Sequence, residues 1–199
     1  VRAALKINPE LKVMASPWSA PAWMKTTGSL VKGQLKPEAY PVYADFFARY
    51  IKEARKVGVP TDYLSIQNEP DFEPDNYPGM RWLPADRARF FGENLAPVFK
   101  REKIATKVLD WDHNWDQPQQ PLTVLADAKA RAFVAGVAWH CYAGQVEAME
   151  TVRAAHPDKD VFFTECSGGE WAPKFDDSFS WMVEQLIIGS TRWGARGVL

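Results

Sequence analysis

Two short phrases in this chain carry residue types that do chemistry: Gln67-Asn68-Glu69-Pro70 and Thr164-Glu165-Cys166-Ser167. Each sets one glutamate directly after an apolar, strand-like run, Tyr63-Leu64-Ser65-Ile66 before Glu69 and Val161-Phe162-Phe163 before Glu165. On parallel strands of one sheet, both carboxylates emerge at the same C-terminal edge. A facing pair of this kind can cleave a glycosidic bond with retention of configuration. One protonated carboxylic acid serves the leaving oxygen, and an ionised partner about 5–5.5 Å away attacks from the other face of the sugar. The acid needs a raised pKa, from burial or from the charge of its partner, and the nucleophile must stay ionised. Glu69 and Glu165 lie 96 positions apart, so only the fold can bring them together, and barrel strands two steps apart are the expected means. Either glutamate alone reads as easily as a solvated turn residue. The pair, with the polar and aromatic residues at other strand ends, points to chemistry.

The elements that would position them alternate along the chain. Leu11–Ala15 reads as a strand, followed by a Pro/Gly-rich loop. A helix from about Pro37 to Val57 carries Tyr43, Phe46, Phe47, Tyr50, Ile51 and Ala54 at helical spacing, with Gly58 as its stop. Tyr63–Gln67 is the next strand, and Pro84 opens a helix carrying Phe90, Phe91, Leu95, Val98 and Phe99. Lys107–Asp110, Phe133–Trp139 and Val161–Thr164 read as strands; Leu122–Arg131, Val146–Ala155 and Ser178–Thr191 read as helices. Ala195–Leu199 looks like a strand cut short. Strict strand–helix alternation predicts a parallel α/β architecture. No glycine-rich phosphate turn favours a doubly wound sheet. Polar groups after several strands instead favour a (β/α)8 barrel, present as about six strands. Val1 stands where a Met would open a chain, so the expectation is a piece of a longer protein, one partial barrel domain over residues 1–199.

Bulk properties exclude other classes. A formal net charge of −1 provides no electrostatic footprint for nucleic acid, and no apolar stretch approaches the length of a membrane span. Nine Trp, six Tyr and eleven Phe serve either a core or the flat platforms on which sugar rings lie. Cys141 and Cys166 are too few for a disulfide scaffold and read as reduced, buried thiols, with a disulfide as the alternative.

The phrase running from Ser16-Pro17-Trp18 through Ala22-Trp23-Met24-Lys25, followed by Gln67-Asn68-Glu69-Pro70, His140-Cys141-Tyr142 and Thr164-Glu165-Cys166-Ser167, resembles glycoside hydrolase family 30. The resemblance covers essentially the whole chain, and its first motif is the most specific. It implies a retaining β-glycosidase on a (β/α)8 barrel, here lacking the first two strands and a side β-structure. It implies Glu69 as acid/base, Glu165 as nucleophile, Asn68 on the sugar's 2-hydroxyl, Trp18 shaping the glycone pocket, Tyr142 against nucleophile or sugar, and His140 holding neighbouring groups. A β-linked carbohydrate is the implied partner, no metal or organic cofactor is called for, and an extracellular or periplasmic setting follows from the resemblance. Within the family, β-1,6-glucan and glucosylceramide-like glucosides fit the motifs best; xylan, galactan and fucosides stay open.

Other residues keep two readings. Trp23 reads as core before subsite. His113 and Trp115 line a subsite or belong to a solvated loop. The run Asp110-Trp111-Asp112-His113-Asn114 mimics the start of a calcium loop, but Trp115 stands where glycine is needed and Pro121 where a bidentate glutamate belongs. A zinc site from His113, His140, Cys141 and Cys166 lacks a tight ligand pair beyond His140-Cys141. The competing function is a carbohydrate-binding protein with a glycosidase-like cleft, distinguished by binding glucan without releasing reducing sugar.

Overall fold

The computed structural model describes residues 1–199. Six parallel strands form one sheet in chain order: β1 (Met14–Ala15), β2 (Tyr63–Ser65), β3 (Lys107–Asn114), β4 (Gly136–His140), β5 (Asp160–Glu165) and β6 (Ala195–Val198). Each successive pair is parallel and joined by a crossover containing helix. The sheet curls into a half-barrel, the incomplete (β/α)8 architecture expected from the alternation. The curl is visible in side chains: Tyr63 of β2 and Phe162 of β5 meet with ring centroids 4.8 Å apart, although two strands separate them. β4 is buried at all five positions, as a parallel strand covered on both faces must be.

Helices cover the outer face. Tyr40–Lys56 buries Tyr40, Tyr43, Ala44, Phe47, Ala48 and Ile51 along one stripe. It ends at Gly58, whose φ of 78° suits a residue without Cβ. Tyr40, Tyr43, Phe47, Trp82 and Phe90 interlock beneath it, with centroid separations from 4.6 to 6.3 Å. One hydrophobic cluster of 35 residues runs through the molecule.

Several boundaries differ from the sequence reading. A short helix, Arg2–Ile7, precedes β1; its Ala, Leu and Lys are strong helix formers, but it buries nothing and so shows no apolar stripe. The helix opened by Pro84 runs as Pro84–Arg89, a π-helical turn Phe90–Leu95, then Ala96–Glu102. Pro97 has no N–H to give the turn before it, which accounts for the widened segment. Leu122–Arg131 resolves into two helices, Gln119–Ala126 and Ala128–Phe133, divided where the Asp127 side chain accepts from the backbone N–H groups of Lys129 and Ala130. Phe133 therefore ends a helix, and β4 starts at Gly136, where any Cβ would meet the Asp160 carbonyl at 2.2 Å.

β3 is the consequential change. It continues four residues past Asp110, through Trp111, Asp112, His113 and Asn114. Its register against β4 shifts between Trp111 and His113, with Trp111 at φ 74° and Asp112 at φ 51°. This bulge turns polar residues at the strand end toward neighbouring strand ends.

Candidate active site

β2 and β5 deliver Glu69 and Glu165 to the same end of the curled sheet. They are three strand steps apart rather than two, and the curl makes up the difference. Both line one cleft of about 330 Å³ with Trp18, Phe72, Tyr77, His113, Asn114 and Tyr142. Trp18, Glu69, His113, Tyr142 and Glu165 are thus brought together; Asn68 and His140 lie behind the lining, buried.

Glu69 is held by its backbone and by the His140 imidazole, with a second imidazole nearby. Its φ is 49°, and its N–H donates to the Asp112 carbonyl at 3.0 Å. Three of the five non-glycine residues with left-handed φ (Glu69, Trp111 and Asp112) meet here, a clustering of backbone strain that marks functional sites. Glu69 Oε1 lies 3.2 Å from His140 Nδ1 and 3.6 Å from His113 Nδ1. His140 Nε2 lies 3.1 Å from Asp112 Oδ1. Asp112, 2 % exposed, also accepts from Ser16 Oγ at 2.6 Å and Thr164 Oγ1 at 2.8 Å.

These contacts set the charges. Burial disfavours a charged His140, but hydrogen bonds to Asp112 and Glu69 outweigh it and raise its pKa to about 9. Burial likewise pushes Glu69 up, and the imidazoles facing it, His113 close by and His140 hydrogen-bonded, more than reverse that, holding it down to about 2. For Asp112, bonds from His140, Ser16 and Thr164 overcome burial and keep its carboxyl below the usual range. Where a general acid calls for a raised pKa, the His140–Glu69 hydrogen bond instead favours the proton on His140.

At Glu165 the surroundings differ. Tyr142 Oη donates to Glu165 Oε1 at 3.0 Å and lies 3.1 Å from Ser167 Oγ. The Tyr142 backbone N–H donates to Asn114 Oδ1 at 3.0 Å, which ties the ends of β3 and β4 together. Trp18, about half exposed, packs on Tyr77 at 5.6 Å, and Tyr77 leads on to Phe72, making an aromatic wall across the cleft. Across Tyr142 lies a second, more apolar hollow of about 480 Å³, lined in part by Cys141, Cys166, Trp171, Trp181 and Met182.

Other expectations are corrected. Cys141 and Cys166 form a disulfide with Cα atoms 5.5 Å apart. The register pairs His140 with Glu165 on adjacent parallel strands, so the following two residues are cross-strand neighbours. That bond removes both thiols from the zinc reading. Asp110 is ion-paired with buried Arg87, which ends the calcium reading. Trp23 is 65 % exposed and not core, whereas Trp115 is 2 % exposed, packs on Phe163 and does not line the cleft. His113 is buried at the end of β3, not solvated in a loop. Glu69, His113 and His140 bring three potential ligand atoms within 4.8 Å of one another, a spacing that follows from one imidazole hydrogen-bonded to the carboxylate and a second 3.6 Å from it.

Sequence gives Phe72 and Tyr77 no individual role, and it marks Asp112 and Asn114 only as polar residues of a strand-end run beside His113. The alternation Asp110, Asp112, Asn114 carries a strand's period of two, but polar residues in those places masked it.

Comparison with known proteins agrees with the geometry. The model of the glycosyl hydrolase family 30 TIM-barrel domain matches residues 1–181. An endo-1,6-β-D-glucanase of Neurospora crassa is 33% identical over 167 residues, covering 81% of this chain and 34% of that protein. A putative glucosylceramidase of Caenorhabditis elegans is 31% identical over 183 residues, 85% of this chain and 35% of its own length. The solved structure of an endo-β-1,6-glucanase superimposes with a TM-score of 0.92 at 31% identity, over 98% of this chain and 46% of that one. The chain thus spans about a third of the length of these curated relatives, and it belongs to glycosyl hydrolase family 30.

Proposed function

We propose that the protein carrying this chain is a retaining β-glycoside hydrolase, with Glu165 as nucleophile and Glu69 as acid/base. The observation that carries the reading is the single cleft lined by both glutamates, with Tyr142 on one and His140 on the other. In the first step Glu165 attacks the anomeric carbon, the glycosidic C–O bond breaks, and the leaving oxygen takes a proton from Glu69. In the second, water gives its proton to Glu69 and its oxygen to the anomeric carbon, releasing Glu165. Tyr142 holds the carboxylate of Glu165 in place by donating to Oε1, and Asn68 is proposed to meet the 2-hydroxyl. Trp18 and Tyr77 provide an apolar face for a sugar ring.

For substrate, β-1,6-linked glucan is favoured. The relatives named as endo-1,6-β-glucanases support it, as does an aromatic wall left partly exposed at the cleft. A glucoside with an apolar aglycone is the second reading, favoured by the hollow at Trp171 and Trp181 across Tyr142.

The test is made on the full-length protein. Glu165→Gln should abolish turnover of unactivated substrate. Glu69→Ala should spare the first step on a substrate with a good leaving group and regain turnover with added azide. Mass spectrometry after a 2-deoxy-2-fluoro-β-glucosyl fluoride should find the adduct on Glu165. An adduct on another residue, or rapid hydrolysis by Glu165→Gln, overturns the assignment.

A further inference from the structure

Asp112 stands outside the cleft lining yet meets residues from four neighbouring segments. Its carbonyl accepts from the N–H of Glu69, and its carboxylate accepts from Ser16 after β1, faces His140 at the end of β4, and accepts from Thr164 on β5. It is 2 % exposed and sits at φ 51° on the β3 bulge. A buried carboxylate in a left-handed conformation is costly, and it persists only where its surroundings fix it. The bulge puts that charge beside the one imidazole that also reaches Glu69.

We infer that Asp112 is a positioning residue for the reaction: through Nε2 of His140 it fixes that ring's orientation and keeps Nδ1 aimed as a proton donor at Glu69. The inference rests on Glu69 being the acid/base. With Nε2–H committed to Asp112, the imidazolium's Nδ1 proton is the one shared with Glu69 Oε1. When it moves to Glu69, His140 becomes neutral, the carboxylate becomes a carboxylic acid, and the net charge of the three groups is unchanged. Nδ1 and Oε1 stand 3.2 Å apart, and the depressed Glu69 and raised His140 both favour the proton on the imidazole before the leaving oxygen takes one. Glu69 then returns to the carboxylate after giving its proton to the leaving oxygen, ready to activate water.

The charged and titratable groups facing His140 come from every neighbouring strand end. They are Asp112 and His113 from β3, Glu69 after β2, Tyr142 after β4, and Glu165 at the end of β5, which acts through its charge. Asp112 is the negative partner on the side away from Glu69. Without it, the His140–Glu69 pair holds its shared proton less tightly.

The experiment compares wild type, Asp112→Asn and His140→Gln in the full-length protein. It records kcat/KM against pH on unactivated glucan and on an aryl glucoside whose leaving group needs no proton. The imidazole is followed by ¹⁵N NMR titration. Asp112→Asn should move the alkaline limb on glucan to lower pH by about one unit or more and lower the His140 pKa in parallel, with the acidic limb and the aryl glucoside's first step little changed. Should Asp112→Asn fail to fold, His140→Gln, which leaves a donor for Asp112 but no charge, should show the same displacement. A folded Asp112→Asn or His140→Gln with an unmoved alkaline limb overturns the inference. Glu69→Ala separates the two layers. If it does not discriminate between the substrates, the acid/base reading fails. If it does while Asp112→Asn leaves the profile in place, only the role of Asp112 falls.

Discussion

Removing the Arg87 side chain should cost this fold more than removing it together with its partner. Arg87 and Asp110 have side chains 1 % and 0 % exposed and meet at 2.9 Å. Arg87 Nη1 also donates to the Trp82 carbonyl at 2.7 Å and to Gln120 Oε1 at 3.4 Å, and the guanidinium lies 5.5 Å from the Trp111 ring centroid. Arg87→Met leaves the Asp110 carboxylate buried with no donor, and breaking a buried pair from one side costs about 3–5 kcal/mol. Arg87 Nη2 and Asp110 Oδ2 already lack partners, so the ion pair is imperfectly satisfied. Arg87→Met with Asp110→Val removes both charges and should return to within about 1 kcal/mol of wild type, or better. The coupling between the two sites is then at least about 2 kcal/mol. Urea unfolding followed by tryptophan fluorescence, with m-values compared, reads all three variants. A cost below about 1 kcal/mol for Arg87→Met, or single effects that simply add, would refute the reasoning. Trp111, held between Arg87 and its own Nε1–H bond to the Asn114 carbonyl at 2.9 Å, starts the bulge that carries Asp112 and His113. The same variant should therefore also lower kcat/KM.

Replacing Cys141 and Cys166 with serine should destabilise the fold by about 3.5 kcal/mol, the loop entropy released when residues 25 apart are no longer joined; thiol titration of the denatured, unreduced protein should find neither sulfur free. Stability should also follow the charges at the cleft. His140, raised from an ordinary 6.5 to about 9, contributes fully below pH about 6.5 and loses its contribution as pH rises through about 9. Glu69, depressed from 4.5 to about 2, contributes above pH about 4.5 and loses its contribution as pH falls through about 2. The two share one hydrogen bond, so the joint effect is counted once, at about 3 kcal/mol, and urea midpoints across pH should peak between about 4.5 and 6.5. A profile flat between pH 6 and 9 would count against a charged His140. Trp18→Ala should raise KM about 2–10-fold and leave the unfolding midpoint almost unmoved, since the ring is half exposed.

Much of the architecture was legible in the chain because periodicity reports burial directly. Tyr43, Phe47 and Ile51 repeat at helical spacing because they are buried in the core, the first two against Phe90, and the β4 and β5 runs are apolar because both faces are covered. Boundaries were lost where a backbone detail overrides the apolar pattern: Pro97 widening a helix, Asp127 capping one in the middle of an apolar stretch, and polar β3 residues facing inward rather than out. Trp23 and Trp115 show the same limit at single residues. Their types are identical, and only packing decides that one is exposed and the other buried.

By itself, the amino-acid order determined that two glutamates follow strand-like runs, that strands and helices alternate, and that the motifs resemble one hydrolase family. Those are local facts, carried by residue type and spacing. The tertiary structure alone decided that three strand steps suffice to bring Glu69 and Glu165 to one cleft, because curl is a property of the paired sheet. It also decided that Cys141 meets Cys166, because register belongs to two strands at once. The state of Glu69 is likewise tertiary: burial and the His140–Asp112 pair act on it across space, and the three residues come from different strand ends.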